Sequence, residues 1–141
     1  MTTEQNKQMA RNVFESFNRN DLDAMTRDFD RNYVHRAPAT GETRGADGFK
    51  EVITMYKRAF PDLHIEVETM MAEGDMVMVF SRNTGTHKGE FMGIAPTGKK
   101  STVEFMARFT CKNGKIVEEV DIFDSLDILK QLDALPAELT G

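Results

Sequence analysis

Apolar residues along the chain recur first at a helical period and then at a strand period. Ala10, Val13, Phe14 and Phe17 stand at i, i+3, i+4 and i+7, and Thr2 and Gln5 have the spacing of a capping box. They predict a first helix that ends at the polar run Asn18–Asp21. Leu22, Met25 and Phe29 share one face of a short second helix, Tyr33–His35 reads as a brief strand, and Pro38, Gly41 and Gly45 mark a loop. A third helix is expected from Ala46 to Phe60, with Phe49, Val52, Ile53, Tyr56 and Phe60 as its stripe and Pro61 as its stop.

After Leu63 the period becomes two. Ile65, Val67, Thr69 and Met71 alternate with His64, Glu66, Glu68 and Met70, and Gly74-Asp75 makes a turn. Met76–Thr84 is apolar on both faces as far as Ser81, the mark of a central strand. The glycines and proline between Gly85 and Gly98 suggest a kinked rim. Val103, Phe105, Ala107 and Phe109 form one face of the next strand, and Asn113-Gly114 signals a hairpin into a last strand, Lys115–Asp124. Ser125 can cap a closing helix carrying Leu126, Ile128, Leu129 and Leu132, with a loose tail after Pro136. Helices first and an antiparallel sheet second give an α+β fold, three helices over one sheet face, in a single domain spanning 1–141. Three helices cover only one face. Ile116, Val120 and Ile122, assigned to the other, predict a homodimer through the outer sheet face.

Composition narrows the partners. A net charge of −5 disfavours nucleic acid and anionic membrane surfaces. Cys111 is the single cysteine, which fits a reducing cytoplasm and reads as a small buried hydrophobe. The start of the chain has no apolar signal core, and no run reaches the length of a spanning helix, so a soluble cytoplasmic protein is expected. No phosphate-binding loop, dinucleotide fingerprint, nucleophile elbow or zinc motif occurs. His35, His64 and His87 lack metal-ligand spacing, so no metal is expected. The ten methionines read as core filler, or as an adaptable apolar wall.

The chemistry concentrates at Asp121, which lies among Val120, Ile122 and Phe123 in a strand that otherwise looks buried. A carboxylate there must be paired or must face a cavity. Pairing with Arg108 would make it structural. Facing an apolar cavity would raise its pKa and fit it to exchange protons near neutrality. Glu119, two residues away on the same face, would compete for the role or repel Asp121. His35, near the mouth, and His87, on the rim, are further candidates to line a cavity.

Five blocks then stand in order: Phe60-Pro61-Asp62-Leu63, Gly85-Thr86-His87-Lys88-Gly89-Glu90-Phe91, Gly93-Ile94-Ala95-Pro96-Thr97-Gly98-Lys99, Asn113-Gly114-Lys115-Ile116-Val117-Glu118 and Leu129-Lys130-Gln131-Leu132. From about Asn12 to Leu132 the chain resembles the SnoaL-like polyketide (ester) cyclases of the NTF2-like superfamily. The resemblance implies a cone-shaped α+β fold, dimeric or tetrameric, binding a small hydrophobic molecule without metal or cofactor. It implies that Asp121, seven residues after the hairpin glycine, is the general acid/base of an intramolecular aldol ring closure. It also implies a pocket histidine in the strand before the hairpin, where this chain has Ala107. The reading is a cyclase- or isomerase-like enzyme with Asp121 catalytic and His35, Tyr56, His87, Phe105, Ala107, Phe109 and Glu119 lining the substrate site. Tyr56, His35 and Arg108 are the candidate enolate donors. A hydrolase with Asp121-activated water and a non-catalytic ligand-binding or scaffolding domain are the alternatives.

The hairpin register decides which way Asp121 points. A two-residue Asn113-Gly114 turn pairs Lys112 with Lys115 and sets Met106 opposite Asp121, on the face of Arg108. A three-residue loop pairs Cys111 with Lys115 and sets Phe105 opposite Asp121, on the apolar face. The resemblance selects the second.

Overall fold

The computed structural model describes residues 2–38 and 40–139. Helix α1 (Thr3–Asn18) begins with the expected box: Gln5 N–H donates to Thr2 Oγ1 at 3.1 Å and Thr2 N–H to Gln5 Oε1 at 2.8 Å. Helix α2 is a single turn, Leu22–Met25, and Phe29 opens a strand instead of extending it. That strand, β1 (Phe29–Ala37), is longer than the three residues expected, and the loop after it contains a short strand, β2 (Gly41–Arg44). Helix α3 (Gly45–Ala59) ends before Pro61, which cannot continue it. Strands β3 (His64–Glu73), β4 (Met76–Thr86), β5 (Lys100–Lys112) and β6 (Lys115–Phe123) follow, then α4 (Ser125–Gln131). Asp124, not Ser125, caps α4, accepting from Asp127 N–H at 3.0 Å. The expected loose tail contains a 3-10 turn at Ala137–Leu139, and its last two residues lie outside the described ones.

The six strands form one sheet in the order β2-β1-β6-β5-β4-β3, antiparallel except for β1 and β6, which run parallel. Helix α1 covers β3 and β4, α3 covers β1 and β2, and α4 closes over β5. The core between helices and sheet is built from Phe14, Phe17, Tyr33, Phe49, Val77, Val79 and Phe109. The fold is the expected α+β type. Among the described residues, no helix is long and apolar enough to cross a membrane.

Two β-bulges decide which side chains face that core. In β3, register shifts between Val67 and Thr69, leaving Glu68 as the extra residue. Ile65 and Val67 therefore turn inward, but beyond the bulge Met70 and Ala72 take over and Met71 is 67% exposed, so the uniform alternation expected there breaks. In the β5–β6 hairpin, Lys112 pairs with Lys115 and Cys111 with Ile116 across a two-residue turn, both Asn113 (φ 52°) and Gly114 (φ 75°) being left-handed. The three-residue loop is thus incorrect. Val117 then bulges, and Thr110 pairs with Glu118. The added residue sets Ala107 opposite Asp121, instead of Met106 or Phe105, and turns Asp121 to the apolar face after all. The same bulge puts Ile116 fully inside, not on the outer face.

Candidate active site

Beneath the helices lies a cavity of about 90 Å³, lined by side chains of α1, α2, α3, α4, the sheet and the loop residue Phe91. Its wall is mostly apolar and rich in phenylalanine, and Phe105 and Phe123, paired across β5 and β6, stack at 5.4 Å with an 11° interplanar angle. Asp121 lies one step deeper on the same face, buried to 5% exposure.

The parallel pairing of β1 with β6 sets His35 beside Glu119 and so delivers an imidazole to Asp121. His35 Nε2 and Asp121 Oδ2 are 2.6 Å apart, and Glu119 Oε2 is 4.0 Å from the same nitrogen. Two further atoms define the protonation. His35 Nδ1 and Asp121 Oδ1 are buried without partners. A bare ring nitrogen is tolerated better than a buried N–H lacking an acceptor, which favours a neutral imidazole donating Nε2–H to the carboxylate. Burial drives both groups toward neutrality, lowering the pKa of His35 and raising that of Asp121 to about 7. Asp121 is held at Oδ2 by His35 and shares a hydrogen bond with Glu119, and its Oδ1 receives no N–H or hydroxyl bond, near its titration point at physiological pH.

Around this pair the groups remain neutral. Glu119 is raised well above the carboxylate range by burial and then by the charge on Asp121, and it accepts a hydrogen bond from Tyr33 O–H at 3.2 Å. Tyr33, raised by its own burial, is fixed by stacking on Phe29. Tyr56 lines the cavity from α3, its ring edge-on to Phe123, its hydroxyl buried and unpartnered. Burial and then the Asp121 charge push that phenol upward, so it stays a donor. His35, Glu119 and Asp121 also form the group of metal-ligand types that spacing could not show, their ligand atoms within 4.8 Å.

Asp121, His35, Tyr56, Phe105 and Glu119 all line the cavity, whereas His87, Ala107 and Phe109 do not. His87 is buried behind Phe60, where its Nδ1 accepts from Thr97 N–H at 3.2 Å and secures the rim loop. Ala107 and Phe109 are core, Phe109 meeting Phe14 edge-on. Arg108 points outward to Glu118 at 2.8 Å, so it neither pairs with Asp121 nor serves as a cavity donor. Asn83 and Ser101 line the cavity without having been foreseen; isolated polar residues on strands carry no spacing signal.

The SnoaL-like polyketide cyclase pattern matches residues 7–132. The chain belongs to the SnoaL-like polyketide cyclase family. Solved structures agree. AclR of Streptomyces galilaeus, a hydroxylase candidate, is 30% identical over 96% of this chain and 89% of its own, with a TM-score of 0.84. IdmH of Streptomyces antibioticus, a polyketide cyclase candidate, is 28% identical over 92% and 99%, with a TM-score of 0.81. A SnoaL-like cyclase candidate from Jannaschia sp. CCS1 shares the fold at 23% identity over 95% of each chain, with a TM-score of 0.87. No curated protein matches the chain. Against the SnoaL-like resemblance, the imidazole beside Asp121 comes from His35 on β1, while position 107 on β5 is an alanine.

Proposed function

We propose that this SnoaL-like protein moves protons at the carbon next to a carbonyl of a small, mostly apolar ketone, with Asp121 as acid and base. The observation that carries the reading is Asp121 itself, a buried carboxyl on an apolar cavity that, among the described residues, bonds only to His35 and the neighbouring acid Glu119 and whose Oδ1 receives no N–H or hydroxyl bond. Oδ1 takes the C–H proton, and the C–H electron pair moves into the enolate. Tyr56 O–H donates to the enolate oxygen, the charge-stabilising contact such a step needs. The proton on Oδ1 then returns at another carbon, an isomerisation. Alternatively the enolate carbon attacks a second carbonyl and Oδ1 protonates the new alkoxide, a ring closure. Family membership favours the second outcome.

Exchange of the C1 hydrogens of 2-tetralone for deuterium, followed by proton NMR, tests the shared first step. Wild type should accelerate it, and Asp121→Asn should lower the rate by about 100-fold or more, since the amide keeps the shape and loses the basicity. An undiminished rate in Asp121→Asn would remove Asp121 from the chemistry. Binding without any acceleration by wild type would mark a non-catalytic ligand-binding domain.

We also propose a homodimer through the outer sheet face. Met78, Met106 and Ile122 expose 43%, 45% and 63% of their surfaces there, with Met106 paired to Ile122 and Val120 on the same face of β6. Arg108 stands between Val120 and Met78 on the same face, and Glu118 links it to Arg36 in a chain of ion pairs. Large apolar side chains exposed together on one sheet face are the kind that a second subunit covers.

A further inference from the structure

We propose that Asn83 and Ser101 form a second polar contact for the ligand, reading a neutral hydrogen-bonding group at the end of the molecule opposite the carbonyl. Both line the cavity and both are more than nine-tenths buried, Asn83 at 8% and Ser101 at 6% exposure. Ser81 O–H donates to Asn83 Oδ1 at 3.2 Å, which fixes the amide plane, and among the described residues its Nδ2 has no hydrogen-bond partner. Ser101, on the neighbouring strand, likewise has no hydrogen-bond partner for its hydroxyl among the described residues. Polar groups on an apolar cavity wall with no bond inside the protein are free to bind a ligand.

The register gives the separation. Ala107 lies opposite Asp121, and Val103, four residues along β5, lies opposite Asn83 on the other side. Four residues along a strand and two strands across place the two Cα atoms about 16–17 Å apart. The stacked Phe105 and Phe123 lie between them. A flat bicyclic body with one hydrogen bond of about 2.9 Å at each end spans that distance once side-chain reach is allowed for. Its bulk agrees with the volume: 90 Å³ holds roughly six to nine water-sized sites, or about ten to fifteen ligand atoms.

Charge narrows the class further. Among the described residues no lysine or arginine lines the cavity, and the other pole already holds two carboxyl groups. A carboxylate or phosphate on the ligand would be buried unpaired. An amide and a hydroxyl instead match a phenol, alcohol or ketone oxygen. The ligand class is therefore an elongated, uncharged, mostly aromatic ketone with a hydroxyl or second carbonyl at its far end. The ketone half of this description rests on the acid–base role of Asp121; the far contact does not.

The test compares 6-hydroxy-2-tetralone with 2-tetralone by titration calorimetry. Wild type should bind the hydroxylated ketone about five- to tenfold more tightly, the value of one neutral hydrogen bond to groups otherwise unpaired. Asn83→Leu combined with Ser101→Ala should bring the ratio to about one, while Asp121→Asn should keep it. Ser101→Ala alone breaks no hydrogen bond within the protein, so it should fold even if Asn83→Leu does not, and it should lower the ratio two- to threefold. A ratio near one in wild type, a ratio unchanged in these variants, or no binding of either ketone would overturn the proposal. Loss of deuterium exchange with the binding ratio preserved would instead strike only the role of Asp121.

Discussion

At the scale of single residues, burial governs the chemistry. Asp121 was legible in the sequence because a lone acid among Val120, Ile122 and Phe123 has few outlets, whereas its contact with His35 was not, because 86 residues separate them and only the parallel β1–β6 pairing joins them. Asn83 and Ser101 gave no warning, since a polar residue on a strand is ordinary until a cavity lies in front of it. Burial also sets a pH dependence. The folded pKa of Asp121, about 7, lies above its ordinary value of 3.8. Between those limits the folded state binds the extra proton, so this group makes stability fall as pH rises from about 4 to about 7. Glu119 acts in the same direction. His35, kept neutral when folded, acts oppositely below about pH 6.5. The difference between Asp121→Asn and wild type reports the Asp121 contribution together with its effect on Glu119, and both act in the same direction. Denaturant melts should show the variant's advantage growing across that window to about 4 kcal/mol at pH 8. A difference independent of pH would mean that Asp121 is ionised and satisfied in the folded state.

At the scale of elements, periodicity located the helices and strands well, and the bulges limited it. Alternation assumes one residue per step. Glu68 and Val117 each add a step, so Met71 and Ile116 end on faces opposite to those their spacing indicated. The Asn113-Gly114 turn was readable as a hairpin, but a bulge three residues beyond it was not, because Val117 is an ordinary strand residue. The register makes a sharp prediction. Deleting Val117 leaves Ile116 paired with Cys111 and Glu118 with Thr110, so every pair beyond it, including Ala107 with Asp121, is preserved. The deletion should fold, with a lowered melting temperature from the lost twist, and should retain deuterium exchange within about tenfold. Deleting Val120 instead should turn Asp121 outward and abolish exchange. Equal loss in both deletions would contradict the register argument.

At the scale of the whole molecule, the order of helices before strands announced the α+β fold, and the signature blocks from Phe60 to Leu132 announced the family. The closed inner face and the open outer face then assign different jobs. Ile122→Glu with Met106→Glu should turn a dimer into a monomer in light scattering at micromolar concentration, with ligand binding retained, because neither side chain lines the cavity. A wild-type monomer at that concentration would contradict the dimer. The inner face carries the central claim, that an apolar cavity holds one carboxyl group ready to gain or lose a proton near neutrality. Carbon-13 NMR titration of the Asp121 side-chain carboxyl measures this directly. The account predicts a midpoint close to 7 in wild type, and a carboxyl already ionised below pH 4 would contradict it.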